Sequence, residues 1–141
     1  MSHVRFLADT SAVIRILRSP EVLRQCQEII GDGTVAVCPI TELEHLFSAR
    51  SKADREHQIS LLRTTFSWVV MPERVFEDAA VVQHTLTDLG PQRSAGPVDL
   101  LTAAAAKQHG LELLHYDADF ESVAAATGQP TRWLAKPGTI D

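Results

Sequence analysis

Short β-prone runs alternate with amphipathic helical stretches from one end of this 141-residue chain to the other, and few folds accept that order. Residues 4–8 form the first β-prone run, ending at Asp9 and leading through Thr10 and Ser11 into the helical pattern Ala12, Val13, Ile16, Leu17. Ser19 and Pro20 read as the cap and first residue of another helix, whose apolar positions recur until Gly31. Residues 34–38 make a second strand. Ile40, Leu43, Leu46 and Phe47 then define a helix, and a polar break at Ser51 to Asp54 separates it from a further helix carrying Ile59, Leu62 and Phe66. Residues 68–71 form a third strand, 75–89 a long helix closed by Gly90, 91–97 a loop, and 98–109 an Ala-rich helix. A fourth strand over 111–116, a helix over 120–127 and a last strand over 131–134 complete the reading. Strand and helix in alternation imply a parallel sheet with right-handed crossovers and helices on both faces. The expectation is a single α/β domain over residues 1–141, with a mostly parallel central sheet of about five short strands flanked by helices.

Composition narrows the partners. Hydrophobic residues make up 45% and charged residues 22%, which fits a globular protein with a core and excludes disordered, collagen-like and coiled-coil chains. The net charge of −5 has the wrong sign for gripping nucleic acid broadly through phosphates, so any such contact is local. Most of the 13 basic residues are Arg, the side chain suited to bidentate phosphate contacts. Cys26 and Cys38 match neither a zinc nor a disulfide spacing and are expected as buried, inert thiols. No apolar run approaches the roughly 18 residues of a membrane span, and the opening MSHVRFLADTS lacks a signal-peptide pattern, so a cytoplasmic protein without membrane association is expected.

Four acids stand where strand ends meet helix starts: Asp9, Glu44, Asp99 and Asp117. Ligands of such sheets sit beyond the carboxyl ends of the strands, so the four share one edge. Carboxylates crowded there repel unless a cation joins them, and hard oxygen donors favour Mg²⁺ or Mn²⁺ over zinc. Such a centre can activate water and stabilise the leaving oxygen of a phosphodiester. Each acid also has a simpler structural use, as a strand end, a first-turn helix charge or a cap. Thr10 and Ser11 are positioned to orient Asp9 or a bound water. Glu42 and Glu44 compete for one role. With Ile40, Leu43, Leu46 and Phe47 as the buried stripe, Glu44 lies at its margin and Glu42 points nearly opposite, into solvent. Asp117 is preferred to Asp119 as closer to the strand end.

The segments Leu7-Ala8-Asp9-Thr10-Ser11-Ala12, Ile40-Thr41 leading to Glu44 and Ser48-Ala49-Arg50, Val98-Asp99-Leu100-Leu101, and His115-Tyr116-Asp117-Ala118-Asp119-Phe120 together resemble a PIN domain of the VapC toxin type. The likeness spans nearly the whole chain. It implies a Mg²⁺-dependent endoribonuclease, restrained by a VapB-type antitoxin and forming a homodimer, with metal-site and catalytic roles falling on Asp9, Glu44, Asp99 and Asp117. The departure lies at Thr41-Glu42-Leu43-Glu44, which offers two candidates for the second acid.

Arg93, in the loop before Asp99, is the preferred contact to RNA phosphates, with Arg15 and Arg18 as further candidates and Thr10 and Ser11 beside the substrate. The six histidines are scattered, and none is assigned to metal or acid/base chemistry. Trp68 and Trp133 are expected in the core. A receiver-type signalling domain is the alternative from another class, but it needs a phosphoacceptor Asp at the end of its middle strand, and residues 67–71 hold none. A catalytically silent PIN-like interaction module is the third reading.

Overall fold

The computed structural model describes residues 3–90 and 95–141. Its sheet contains β1 (Phe6–Ala8), β2 (Val35–Val37), β3 (Ser67–Trp68), β4 (Glu112–His115) and β5 (Thr131–Trp133) in the order β3-β2-β1-β4-β5. Every pairing is parallel, with Leu7 beside Ala36 on one side and Leu113 on the other. This order differs from the 2-1-3-4-5 arrangement of receiver-type folds. The chain runs outward from β1 through β2 to β3, then returns to the far side of β1 for β4. The reversal leaves a crevice at the carboxyl ends of β1 and β4.

The connecting helices are α1 (Thr10–Arg18), α2 (Pro20–Gln25), α3 (Gln27–Gly31), α4 (Pro39–Phe47), α5 (Lys52–Thr65), α6 (Val75–Leu89), α7 (Pro97–His109) and α8 (Asp119–Thr127). Alternation along β1 divides the core. Leu7 points to one face, with Ala36, Cys38 and the inner residues of α6, α7 and α8. Phe6 and Ala8 point to the other, with Val13 and Ile16 of α1, Val22, Cys26, Ile30, and Leu62 of α5. The buried run Ala103 to Ala106 lets α7 lie close beneath the sheet, and Gly110 ends that helix in the left-handed conformation (φ 70°). Both cysteines are buried and free.

Four sequence expectations are corrected. The helix expected from Pro20 to Gly31 breaks at Cys26 (φ −96°, ψ 5°), while Val22, Cys26 and Ile30 still share one core face. The polar stretch Ser51 to Asp54 is the start of α5, with the Ser51 hydroxyl accepting from Asp54 N–H at 3.0 Å. The third strand lies at 67–68, earlier than expected, because it pairs only with the short β2. Trp68 on that edge strand is 44% exposed beneath the Arg63 guanidinium rather than in the core, and Trp133 is half-buried. Among the described residues, no helix is long and apolar enough to cross a membrane.

Candidate metal centre

Asp9 leaves β1 with its N–H donated to the Leu114 carbonyl at 3.0 Å, so the sheet itself fixes its position. Its side chain turns back to cap α1, accepting from Ala12 N–H at 3.1 Å. The Ser11 hydroxyl lies 2.7 and 2.9 Å from the two Asp9 oxygens and accepts the Tyr116 N–H at 2.8 Å, tying the turn after β1 to the turn after β4. Asp9 is only 3% exposed. Burial pushes its carboxyl up to about 6 against the opposing hydrogen bonds from Ser11 and Ala12, and the charge on Asp99 adds to the rise. The neighbouring Thr10 hydroxyl oxygen is buried without a hydrogen-bond partner.

Asp99 stands in the first turn of α7, where Gly96 N–H approaches its carboxylate at 3.4 Å. Burial first, then the charges of Asp117, Glu44 and Asp119, raise this carboxyl to about 6. After β4, Asp117 accepts the Asp119 N–H at 2.9 Å in an Asx turn that opens α8. Asp99, Asp117 and Asp119 each present a carboxylate oxygen within 4.8 Å of the others. Burial and Asp117 push Asp119 upward as well. The sequence reading set Asp117 above Asp119; the structure brings both to Asp99. The C-terminal crevice collects Asp9, Asp99, Asp117, Asp119 and, through its charge on Asp99, Glu44.

The stripe Ile40, Leu43, Leu46 and Phe47, at whose margin Glu44 lies, is not the face that α4 buries. On α4 the buried residues are Thr41, His45 and Leu46, while Leu43 is 64% and Phe47 91% exposed. The helix is rolled away from the stripe that its hydrophobic residues suggest, because Thr41 and His45 face the interior. Glu42, expected in solvent, packs toward α5 and pairs with Arg63 at 2.8 Å. Glu44 is exposed on the other side, where its charge bears on Asp99. Among the candidate phosphate contacts, the Arg15 guanidinium sits 4.5 Å over the Tyr116 ring and donates to the Ser11 carbonyl at 2.9 Å. Arg18, at the far end of α1, donates instead to the carbonyl of Asp141. Arg93 lies outside the described residues. No sequence signal predicts the link from Ser11 to Tyr116, which exists only because β1 and β4 are neighbours.

Among the described residues, no Lys, Arg or His forms a salt bridge with any of the five acids. Hard oxygen donors lacking a counter-cation, with the carboxyls of Asp9, Asp99 and Asp119 raised in proton affinity, fit a hard divalent metal ion. Fold and site thus define a class: a parallel α/β domain with a carboxylate centre at its switch point. Residues 6–126 match the family profile of the PIN domain. Ribonuclease VapC21 of Mycobacterium tuberculosis is 40% identical over 135 residues, covering 96% of this chain and 97% of that protein. Ribonuclease VapC51 of the same species is 38% identical over 138 residues, covering 98% of each. The fold also matches a chain in the crystal structure of DNA-bound VapBC from Salmonella typhimurium with a TM-score of 0.75 at 17% identity, covering 94% of this chain and 99% of that one. A chain of VapBC-1 from nontypeable Haemophilus influenzae matches equally well, with a TM-score of 0.75. The chain belongs to the PIN domain family, among the VapC ribonucleases.

Proposed function

We propose that this protein is a metal-dependent endoribonuclease, the toxin of a VapBC-type toxin-antitoxin pair, which hydrolyses RNA phosphodiester bonds at its carboxylate centre. The observation that carries the reading is the convergence of Asp99, Asp117 and Asp119 within 4.8 Å, beside buried Asp9, in a chain 40% identical to a ribonuclease. Asp9, Glu44, Asp99 and Asp117 are the residues that would hold Mg²⁺, or Mn²⁺ in its place, with Asp119 joining Asp117. A bound divalent ion supplies positive charge at the phosphoryl group and acidifies a water. The chain contributes the rest. Ser11 holds both Asp9 oxygens in place, α7 presents Asp99 from its first turn, and the Asx turn fixes Asp117. The Arg15 guanidinium, pinned over Tyr116, provides a donor for flanking RNA phosphates. A VapB-type antitoxin is the proposed protein partner, the toxin itself a homodimer and the cytoplasm its compartment; the related solved structures are themselves VapBC complexes.

Incubating the purified protein with total RNA, in Mg²⁺ and in EDTA, and mapping the cleaved ends tests the reading. Cleavage should require the ion and vanish in Asp9→Asn and Asp99→Asn. Equal cleavage in EDTA, or by both variants, would remove the carboxylate centre from the chemistry.

A further inference from the structure

The one histidine at the crevice is neither a metal ligand nor a proton carrier in the reading above, yet its surroundings are specific. His115 ends β4, is fully buried, and contacts the rings of Phe120 (5.1 Å) and Trp133 (4.8 Å). Its Nδ1 accepts the Asp117 N–H at 3.2 Å. A neutral imidazole that accepts at Nδ1 carries its hydrogen on Nε2, and Nε2 here is buried with no hydrogen-bond partner. An unpaired buried donor costs free energy, and an apolar residue of similar size would avoid that cost. The acceptor at Nδ1 is the feature that an apolar residue cannot reproduce.

We infer that His115 is a positioning residue for the metal centre, its Nδ1 seating the turn that presents Asp117 to Asp99 and Asp119. The inference rests on the proposed role of Asp117 in holding the metal. The chain of contacts is short: Nδ1 fixes the Asp117 N–H, the Asp117 carboxylate fixes the Asp119 N–H, and both carboxylates then meet Asp99. The imidazole is fully buried and packs against the rings of Phe120 and Trp133. Groups that orient ligands without touching the ion commonly change metal affinity 10- to 100-fold when removed.

Two substitutions separate positioning from packing. His115→Leu fills the space beside the two rings but removes the acceptor; His115→Asn places a carbonyl oxygen near Nδ1 but leaves a gap. Mn²⁺ affinity measured by calorimetry, with thermal melts of the same preparations in EDTA, gives readouts independent of RNA cleavage. His115→Leu should keep the wild-type melting temperature and bind Mn²⁺ about 10-fold more weakly. His115→Asn should melt lower yet retain affinity within about threefold, and its failure to fold would leave the remaining comparison decisive. In an Asp117→Asn background, which should itself bind weakly, His115→Leu should cost little more, since its effect passes through Asp117. Wild-type affinity in His115→Leu beside a weakened Asp117→Asn would overturn the positioning role alone. Unchanged affinity in Asp117→Asn would overturn both that role and the assignment of Asp117.

Discussion

At the scale of single residues, Asp99 serves function at the expense of stability. Without a cation its carboxylate is repelled by Asp117, Glu44 and Asp119 and loses part of its hydration, which is why its proton affinity rises. Asp99→Asn should therefore abolish cleavage by about 10²-fold or more while raising the melting temperature of the metal-free protein at neutral pH. Because Asp99 is only half-buried and screened, the gain should be about 1 kcal/mol, or about 3 °C for a chain of this size. Melts in EDTA decide this, and a variant melting well below wild type would show that the Gly96 N–H contact outweighs the repulsion. Glu42 and Glu44 make a second comparison. Glu44→Gln should slow metal-dependent cleavage, whereas Glu42→Gln should leave turnover unchanged and cost at most about 1 kcal/mol through its partly exposed pair with Arg63. Activity and urea unfolding of both variants test the assignment, and a loss of turnover confined to Glu42→Gln would reverse it. Asp9 and Asp99 were legible in the sequence because each follows a strand or opens a helix, where position alone brings acids to one edge. Glu44 was not legible in that way, because Leu43 and Phe47 of its apparent stripe are exposed and the roll of α4 is set by packing; its charge nonetheless bears on Asp99.

At the scale of elements, periodicity located the long helices and the central strands, but it merged α2 and α3 into one helix, set the third strand late, and failed where tertiary packing decides rotation or ends. A short helix such as α4 carries hydrophobic residues on more than one side, so the pattern alone does not say which side the sheet takes. The start of α5 was obscured because Ser51 and Asp54, polar in sequence, are its cap and first turn. The Ala-rich helix was the plainest element, and the structure shows why its residues are small. Ala103 to Ala106 are buried, and α7 carries Asp99 at one end of that close contact. Ala105→Leu should accordingly destabilise the fold by about 1–3 kcal/mol through overpacking. If α7 is displaced as a unit, the same variant should weaken Mn²⁺ binding, although residue 105 lies well along the helix from Asp99. Denaturant midpoints together with Mn²⁺ titration separate the effects. Normal metal affinity in a destabilised variant would show that α7 absorbs the strain locally.

For the whole molecule, the acids of the crevice should set how stability depends on pH. Asp9 and Asp99 have folded-state values near 6, above the value near 3.9 of an unfolded aspartate. Between those limits the folded protein holds more protons than the unfolded chain, so stability must fall as pH rises. Their favourable contribution is complete below about pH 4 and lost as pH passes 6. Asp54, whose carboxyl is held low chiefly by the Arg50 N–H, acts in the opposite direction, and its contribution disappears only in stronger acid. Asp9 is nearly fully buried, and a shift of its size sets an upper limit of about 3 kcal/mol. Asp99, more open to water, adds about 1 kcal/mol at most after screening, and because the two carboxylates interact their contributions do not simply sum. The metal-free protein should thus melt several degrees higher at pH 5 than at pH 7.5. Millimolar Mg²⁺ reverses the preference, because the ion binds the ionised carboxylates of the folded state and stabilises it more as pH rises. Melting temperatures from pH 4.5 to 8, with EDTA or with Mg²⁺, should slope in opposite directions and diverge as pH rises. A metal-free protein that becomes steadily more stable up to pH 7.5 would mean that Asp9 and Asp99 are ionised without strain, and the crevice would then need no cation to balance its charge.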